Sequence, residues 1–266
     1  MQAPRRVVIC LAAALAAAGV AVGQEPIRFV HEPALSPDGR LLAFTWAGDV
    51  WSVPTTGGRA SRLTNHPADD GNPTFSPDGT LLAFTSNRAG NYDVYLMASG
   101  GSAPRRLTFH AGSDGASGFT PDGKQVLFAS RRYGPVAGPN RMEFLVPIEG
   151  GTPRRLQPVE GSVGQFSPDG TKLVFVRGGV GASRRGYRGP AAEEIWLHDL
   201  TNNTYRPLAS HPAVDTWPQW AADGRSIYFA SDRDGVRNLY RLQLEDGTLT
   251  PVTRHAEPIG APTISR

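Results

Sequence analysis

Cysteine is almost absent from this chain: Cys10 is the only one among 266 residues. It lies in an apolar run, residues 7–22, which follows Arg5 and Arg6 and ends in the small-residue exit Ala21-Val22-Gly23. That layout predicts a secretory signal peptide over residues 1–23, cleaved before Gln24. The alternative is a single membrane anchor, for which the run is short against the ~20 residues a span needs. Ile9 precedes Cys10 and the apolar run follows it, the wrong order for lipoprotein acylation. A cleaved chain holds no cysteine, which excludes disulfides, thiolate metal sites and a thiol nucleophile. The expected location is periplasmic or secreted, with no stable membrane span after cleavage.

Strong charge of either sign is missing as well. Removal of Arg5 and Arg6 lowers the formal net charge of +3 by two, to +1. No basic face is implied, so no nucleic-acid partner is expected. Signature motifs of catalysis are absent too: no Gly-x-Ser-x-Gly elbow, no His-Glu-x-x-His, no phosphate-binding Gly-x-x-x-x-Gly-Lys. Gly178-Gly179-Val180-Gly181 lacks the lysine and the following helix, and reads as a loop. Asp232-Arg233-Asp234-Gly235 lacks the later glutamate of a calcium loop and reads as a hairpin turn. No catalytic residue, cofactor or metal site is assigned in this chain.

Glycine and proline, by contrast, are abundant, at 31 and 23 residues, and they recur at regular turn positions. Ser36-Pro37-Asp38-Gly39 returns as Ser76-Pro77-Asp78-Gly79, Thr120-Pro121-Asp122-Gly123 and Ser167-Pro168-Asp169-Gly170, and in worn form as Ala221-Ala222-Asp223-Gly224. Spacings of 40 to 54 residues fit propeller blades of four strands. Alignment on the aspartate exposes apolar columns. Three residues before it stand Leu35, Phe75, Phe119, Phe166 and Trp220; six after it stand Phe44, Phe84, Phe128, Phe175 and Phe229. A third strand centres on Trp51, Tyr95, Phe144, Trp196 and Tyr240, and tight turns such as Gly57-Gly58 and Asn202-Asn203 lead to a fourth. The predicted fold is all-β: a β-propeller of four-stranded antiparallel blades over residues 24–266. Five blades are complete. The first strand of a sixth is expected at Ala261-Pro262-Thr263-Ile264-Ser265, so the repeat reads as cut in blade six.

A histidine twelve residues before the turn aspartate recurs as His66, His110 and His211, and His255 continues the series. Acidic residues follow as Asp70, Asp114, Asp215 and Glu257. Propeller geometry gathers these crossovers on one face, around the channel mouth. Two readings stand side by side. The eight residues form a polar ring that binds a peptide or a metal, or each pair ties its own crossover to the next blade. Metal binding would need histidines from different blades within bonding reach. Arg184, Arg185 and Arg188 beside Tyr187 belong to an insertion, as a solvated loop or a grip for an acidic partner.

Ser-Pro-Asp-Gly, Leu-Leu-Ala-Phe-Thr-Ser-Asn-Arg, Asp-Val-Tyr, Gly-Gly and Arg-Arg-Leu-Thr together resemble the WD40-like repeat of tricorn protease, TolB and prolyl oligopeptidase relatives. Within that group, Asp49-Val50-Trp51-Ser52-Val53-Pro54 with Gly57-Gly58 is similar to the first blade of the amino-terminal propeller of tricorn-type serine peptidases. Residues 231–240 are similar to its fifth. The resemblance implies a six-bladed accessory propeller that guides peptides, with the catalytic serine and histidine far downstream, so it transfers no catalytic residue. Implied partners are a peptide or protein ligand and downstream peptidase domains. The export signal departs from the family archetype, which is cytoplasmic. The rival expectation is a stand-alone periplasmic protein-binding propeller, a scaffold like TolB, closed as five blades by Ile259 to Ser265.

Overall fold

The computed structural model describes residues 27, 29–132, 141–156, 158–179, 187–209 and 211–264. Residues 1–23 and Cys10, read as the signal peptide, lie outside the described residues, as do Arg184 and Arg185. The described chain folds into five four-stranded antiparallel sheets. The first holds β1 (His31–Leu35), β2 (Leu41–Trp46), β3 (Asp49–Pro54) and β4 (Ser61–Arg62); the second holds β5 (Asp70–Phe75), β6 (Leu81–Ser86), β7 (Asp93–Ala98) and β8 (Arg105–Arg106). The third is β9 (Asp114–Phe119) to β12 (Arg154–Arg155), with β10 (Gln125–Ser130) and β11 (Met142–Pro147) between. The fourth is β13 (Ser162–Phe166), β14 (Lys172–Arg177), β15 (Glu194–Asp199) and β16 (Thr204–Pro207); the fifth is β17 (Asp215–Trp220), β18 (Ser226–Ser231), β19 (Asn238–Gln243) and β20 (Leu249–Pro251). Each sheet runs in sequence order from inner to outer strand, and the inner strands β1, β5, β9, β13 and β17 pack successively against one another. This is the arrangement of propeller blades.

The apolar columns account for the core. Phe44, Phe84, Phe128, Phe175 and Phe229 lie opposite Trp51, Tyr95, Phe144, Trp196 and Tyr240 in the ladder register. Phe84–Tyr95, Phe128–Phe144 and Phe229–Tyr240 stack with ring centroids 5.8, 5.6 and 6.1 Å apart. All five phenylalanines of that column are buried.

The Ser-Pro-Asp-Gly turn works through each of its residues. Ser36 Oγ donates to Asp38 Oδ1 at 2.6 Å and accepts the Leu41 N–H, while Asp38 accepts the Arg40 N–H. Gly79 adopts φ of 74°, which side chains resist. It also lies beneath the Pro37 ring of the preceding blade, which a Cβ on Gly79 would meet at 3.6 Å. The same stacking recurs as Pro77 over Gly123, Pro121 over Gly170 and Pro168 over Gly224.

Residues 259–264 form no ladder among the described residues, where a sixth inner strand was expected. They run between blades five and one. Ile259 is buried with Ala230 and Leu239 of blade five, and Thr263 Oγ1 accepts the Leu35 N–H of β1 at 3.0 Å. No helix among the described residues is long and apolar enough to cross a membrane.

Candidate functional site

Because all blades share one strand order, the first residues of the inner strands, the crossovers that feed them and the turns between second and third strands lie on one face. Ser-Pro-Asp-Gly turns occupy the other. The crossover face carries a cavity of about 390 Å³ at the start of β1, β5 and β9. Its lining includes Glu32, Asp69, Asp70, Tyr92, Asp114 and Arg141.

The residues read as a channel-mouth ring are placed on this face, and seven of the eight, all but Glu257, have a local partner. Nδ1 of His66, His110 and His211 accepts the N–H two residues on, from Ala68, Gly112 and Ala213. His255 donates its N–H to Asn238 Oδ1 and accepts from Asn238 Nδ2 through its carbonyl. Glu257 is exposed. Asp70, Asp114 and Asp215 are wholly buried, each at the start of its inner strand. Arg88 Nη2 reaches both oxygens of Asp70, at 2.9 and 2.7 Å. Arg233 Nη2 reaches both oxygens of Asp215 at 3.0 Å. Arg132 Nη2 reaches Asp114 Oδ2 at 2.6 Å, while Asp114 Oδ1 is buried without a hydrogen-bond partner. The cavity brings Asp70 and Asp114 to one wall. Asp215 is not among its lining residues.

Sequence reasoning missed these arginines. Each stands ten residues after its turn aspartate, eighteen after its buried aspartate. Each guanidinium also lies over its blade's aromatic pair: Arg88 over Phe84 and Tyr95, Arg132 over Phe128 and Phe144, Arg233 over Phe229 and Tyr240. Blades one and four lack both partners, with Val30 and Gly161 at the aspartate position and Gly48 and Gly179 at the arginine position. That joint presence and absence was the available signal. Arg188 pairs with Asp232 of blade five at 2.9 Å, and Gly235 closes the 232–235 turn onto the Asp232 carbonyl at 2.9 Å.

A second buried acid was also missed. Glu143 occupies the column of Val50, Val94, Ile195 and Leu239, directly before the third-strand aromatic. It is fully buried and accepts the Gly164 N–H of blade four at 2.8 Å, while its Oε2 has no hydrogen-bond partner. Burial pushes its carboxyl up to about 8. Burial also raises Asp93, Asp215 and Glu193. Asp38, Asp78, Asp122 and Asp169 of the turns go the other way, each lowered first by its Ser or Thr hydroxyl; the Ser167 hydroxyl and the Thr171 N–H and hydroxyl pull Asp169 down to about 2. No three His, Cys, Asp or Glu among the described residues converge to hold a metal ion.

Fold and turn architecture together define a WD40-like β-propeller. Residues 27–259 match the tricorn protease N-terminal beta propeller domain, and the chain belongs to that family. Tricorn protease homolog 1 of Streptomyces coelicolor is 34% identical over 247 residues, 88% of this chain and 22% of that protein. The uncharacterized peptidase YuxL of Bacillus subtilis is 30% identical over 90 residues, 34% of this chain and 13% of that protein. This chain therefore spans less than a quarter of either relative. Among solved structures, tricorn protease superposes with a TM-score of 0.75 at 21% identity, over 87% of this chain and 23% of that one. TolB from Acinetobacter baumannii gives 0.73 at 21%, over 88% and 56%.

Proposed function

We propose that this chain is the non-catalytic propeller region of an exported tricorn-like serine peptidase, and that its crossover face guides or filters peptides. Family membership over residues 27–259 is the observation that carries the reading. The cavity at the start of β1, β5 and β9, with several carboxylates in its lining, supports a role in receiving extended peptide chains. The exposed parts of His66, His110, His211, His255 and Glu257 would extend that surface around the mouth, in front of Asp70, Asp114 and Asp215. In this reading residues 1–23 direct export and are removed. Catalytic serine and histidine belong to sequence downstream.

Three measurements test it. The mass of the native gene product, read together with the coding sequence past Arg266, should reveal peptidase domains, and the amino terminus of the exported product should be Gln24. Peptide hydrolysis by the purified 266-residue chain should not exceed background. A native product ending at Arg266 would instead favour the scaffold reading, a TolB-like protein-binding propeller. The Leu35–Thr263 bond, which links the last described segment to blade one, is the observation on its side.

A further inference from the structure

Three buried Asp–Arg pairs built to one plan provide an internal comparison. In blades two and five the guanidinium holds both carboxylate oxygens. In blade three it holds one, and Asp114 Oδ1 is left buried and unpartnered. A buried carboxylate oxygen without a donor forfeits its hydration with nothing in return, so native proteins supply one. Asp114 also differs in place from Asp215, since it lines the cavity shared by β1, β5 and β9.

The rest of the wall narrows the chemistry of that donor. Glu32, Asp69, Asp70 and Asp114 contribute four carboxylates, against Arg141 as the lining cation. Arg88 and Arg132 offset two of the four from behind. Glu32 already accepts from Thr45 Oγ1 and the Asn72 N–H, and Gly71 leaves room for it, because a Cβ there would meet Glu32 Oε2 at 2.6 Å. Tyr92, 41% exposed, adds an aromatic wall, a surface that attracts cations over its face. An anion would meet these acids, and a neutral amide would leave the charge unused. We propose that this cavity binds the primary ammonium group of a peptide, with Asp114 Oδ1 and Asp69 as its acceptors and Tyr92 beside it.

The proposal rests on the peptide-guiding reading and narrows it to one end group or side chain. An α-amino terminus and a lysine side chain offer the same chemistry, and calorimetric titration of the full chain with four probes separates them. The probes are tetraglycine amide, its Nα-acetyl form, Nα-acetyl-glycyl-lysyl-glycine amide and that peptide's Nε-acetyl form. At least one ammonium-bearing probe should bind, and its acetylated partner should bind roughly tenfold more weakly or worse, the scale of one lost charge-assisted hydrogen bond. Asp114→Asn and Asp69→Asn should each weaken the same probe by a similar factor. Asp69, on a crossover, serves where Asp114→Asn fails to fold. Equal binding of free and acetylated probes overturns the ammonium site and leaves peptide binding standing. No binding by any of the four overturns the site and, with it, the peptide-guiding reading of this face. Unchanged affinity in Asp69→Asn and in a folded Asp114→Asn overturns the placement.

Discussion

Arg88, Arg132 and Arg233 each join three things within one blade: the buried aspartate that opens the inner strand, the serine that ends the second strand, and the aromatic pair between. Removing one partner of a buried pair leaves the other charged and uncompensated, at about 3–5 kcal/mol. Arg88→Ala should therefore lower unfolding free energy by about 3 kcal/mol, read from chemical denaturation. Arg62, which reaches Asp49 at 2.5 Å but has a side chain 41% exposed, gives the contrast: water screens its charge and Thr64 Oγ1 still donates to Asp49, so Arg62→Ala should cost clearly less than Arg88→Ala. Equal losses at the two sites would refute this weighting. The aspartates were visible in the sequence as a repeated feature. Their partners were not, because a separation of eighteen positions hides a pair that only the hairpin between first and second strands brings together.

At the scale of strands and seams, Glu143 departs from an otherwise apolar column. Its carboxyl has an unfolded value near 4.5 and a folded value near 8. Between those limits the native state holds a proton that the unfolded chain has released, so stability falls as pH rises through that window. The slope from this one group is at most about 1.4 kcal/mol per pH unit. Glu193, Asp93 and Asp215, also raised, act in the same direction. Glu143→Gln keeps an acceptor for Gly164 and should flatten the dependence, which denaturation at pH 5 and pH 8 would reveal. Gly164 is the other half of this seam: a Cβ there would meet Glu143 Oε1 at 2.8 Å. Gly164→Ala should destabilise the protein. In the Glu143→Gln background its cost should depart from additivity, since the two positions share one contact. The strands themselves were legible, since turn aspartate, phenylalanine column and third-strand aromatic fall where the register puts them. The seam acid was not, because a single glutamate in a strand pattern carries no mark of what the neighbouring blade presents to it.

For the whole molecule, blade architecture could be read from repetition and the family from the resemblance of its motifs, whereas the cavity could not. It is assembled by three blades whose contributing residues, Glu32, Asp70 and Asp114 among them, are some 40 positions apart. What a propeller of this family does depends on the chain it belongs to. Under the function proposed above, a loss of peptide product flux in Asp69→Asn of the native gene product, at unchanged hydrolysis of a small chromogenic substrate, would place the cavity on the peptide's route.

The proline rings on the opposite face carry one last implication. Pro37 rests on Gly79, Pro77 on Gly123, Pro121 on Gly170 and Pro168 on Gly224, always from a blade to its successor and never the reverse. Such a contact records a direction but no total. Each joint can be satisfied by any successor of the same design, so the number of blades is written in none of them. Lengthening or shortening such an array by one whole unit would leave every remaining joint as it was. The tally is decided only where the last unit meets the first.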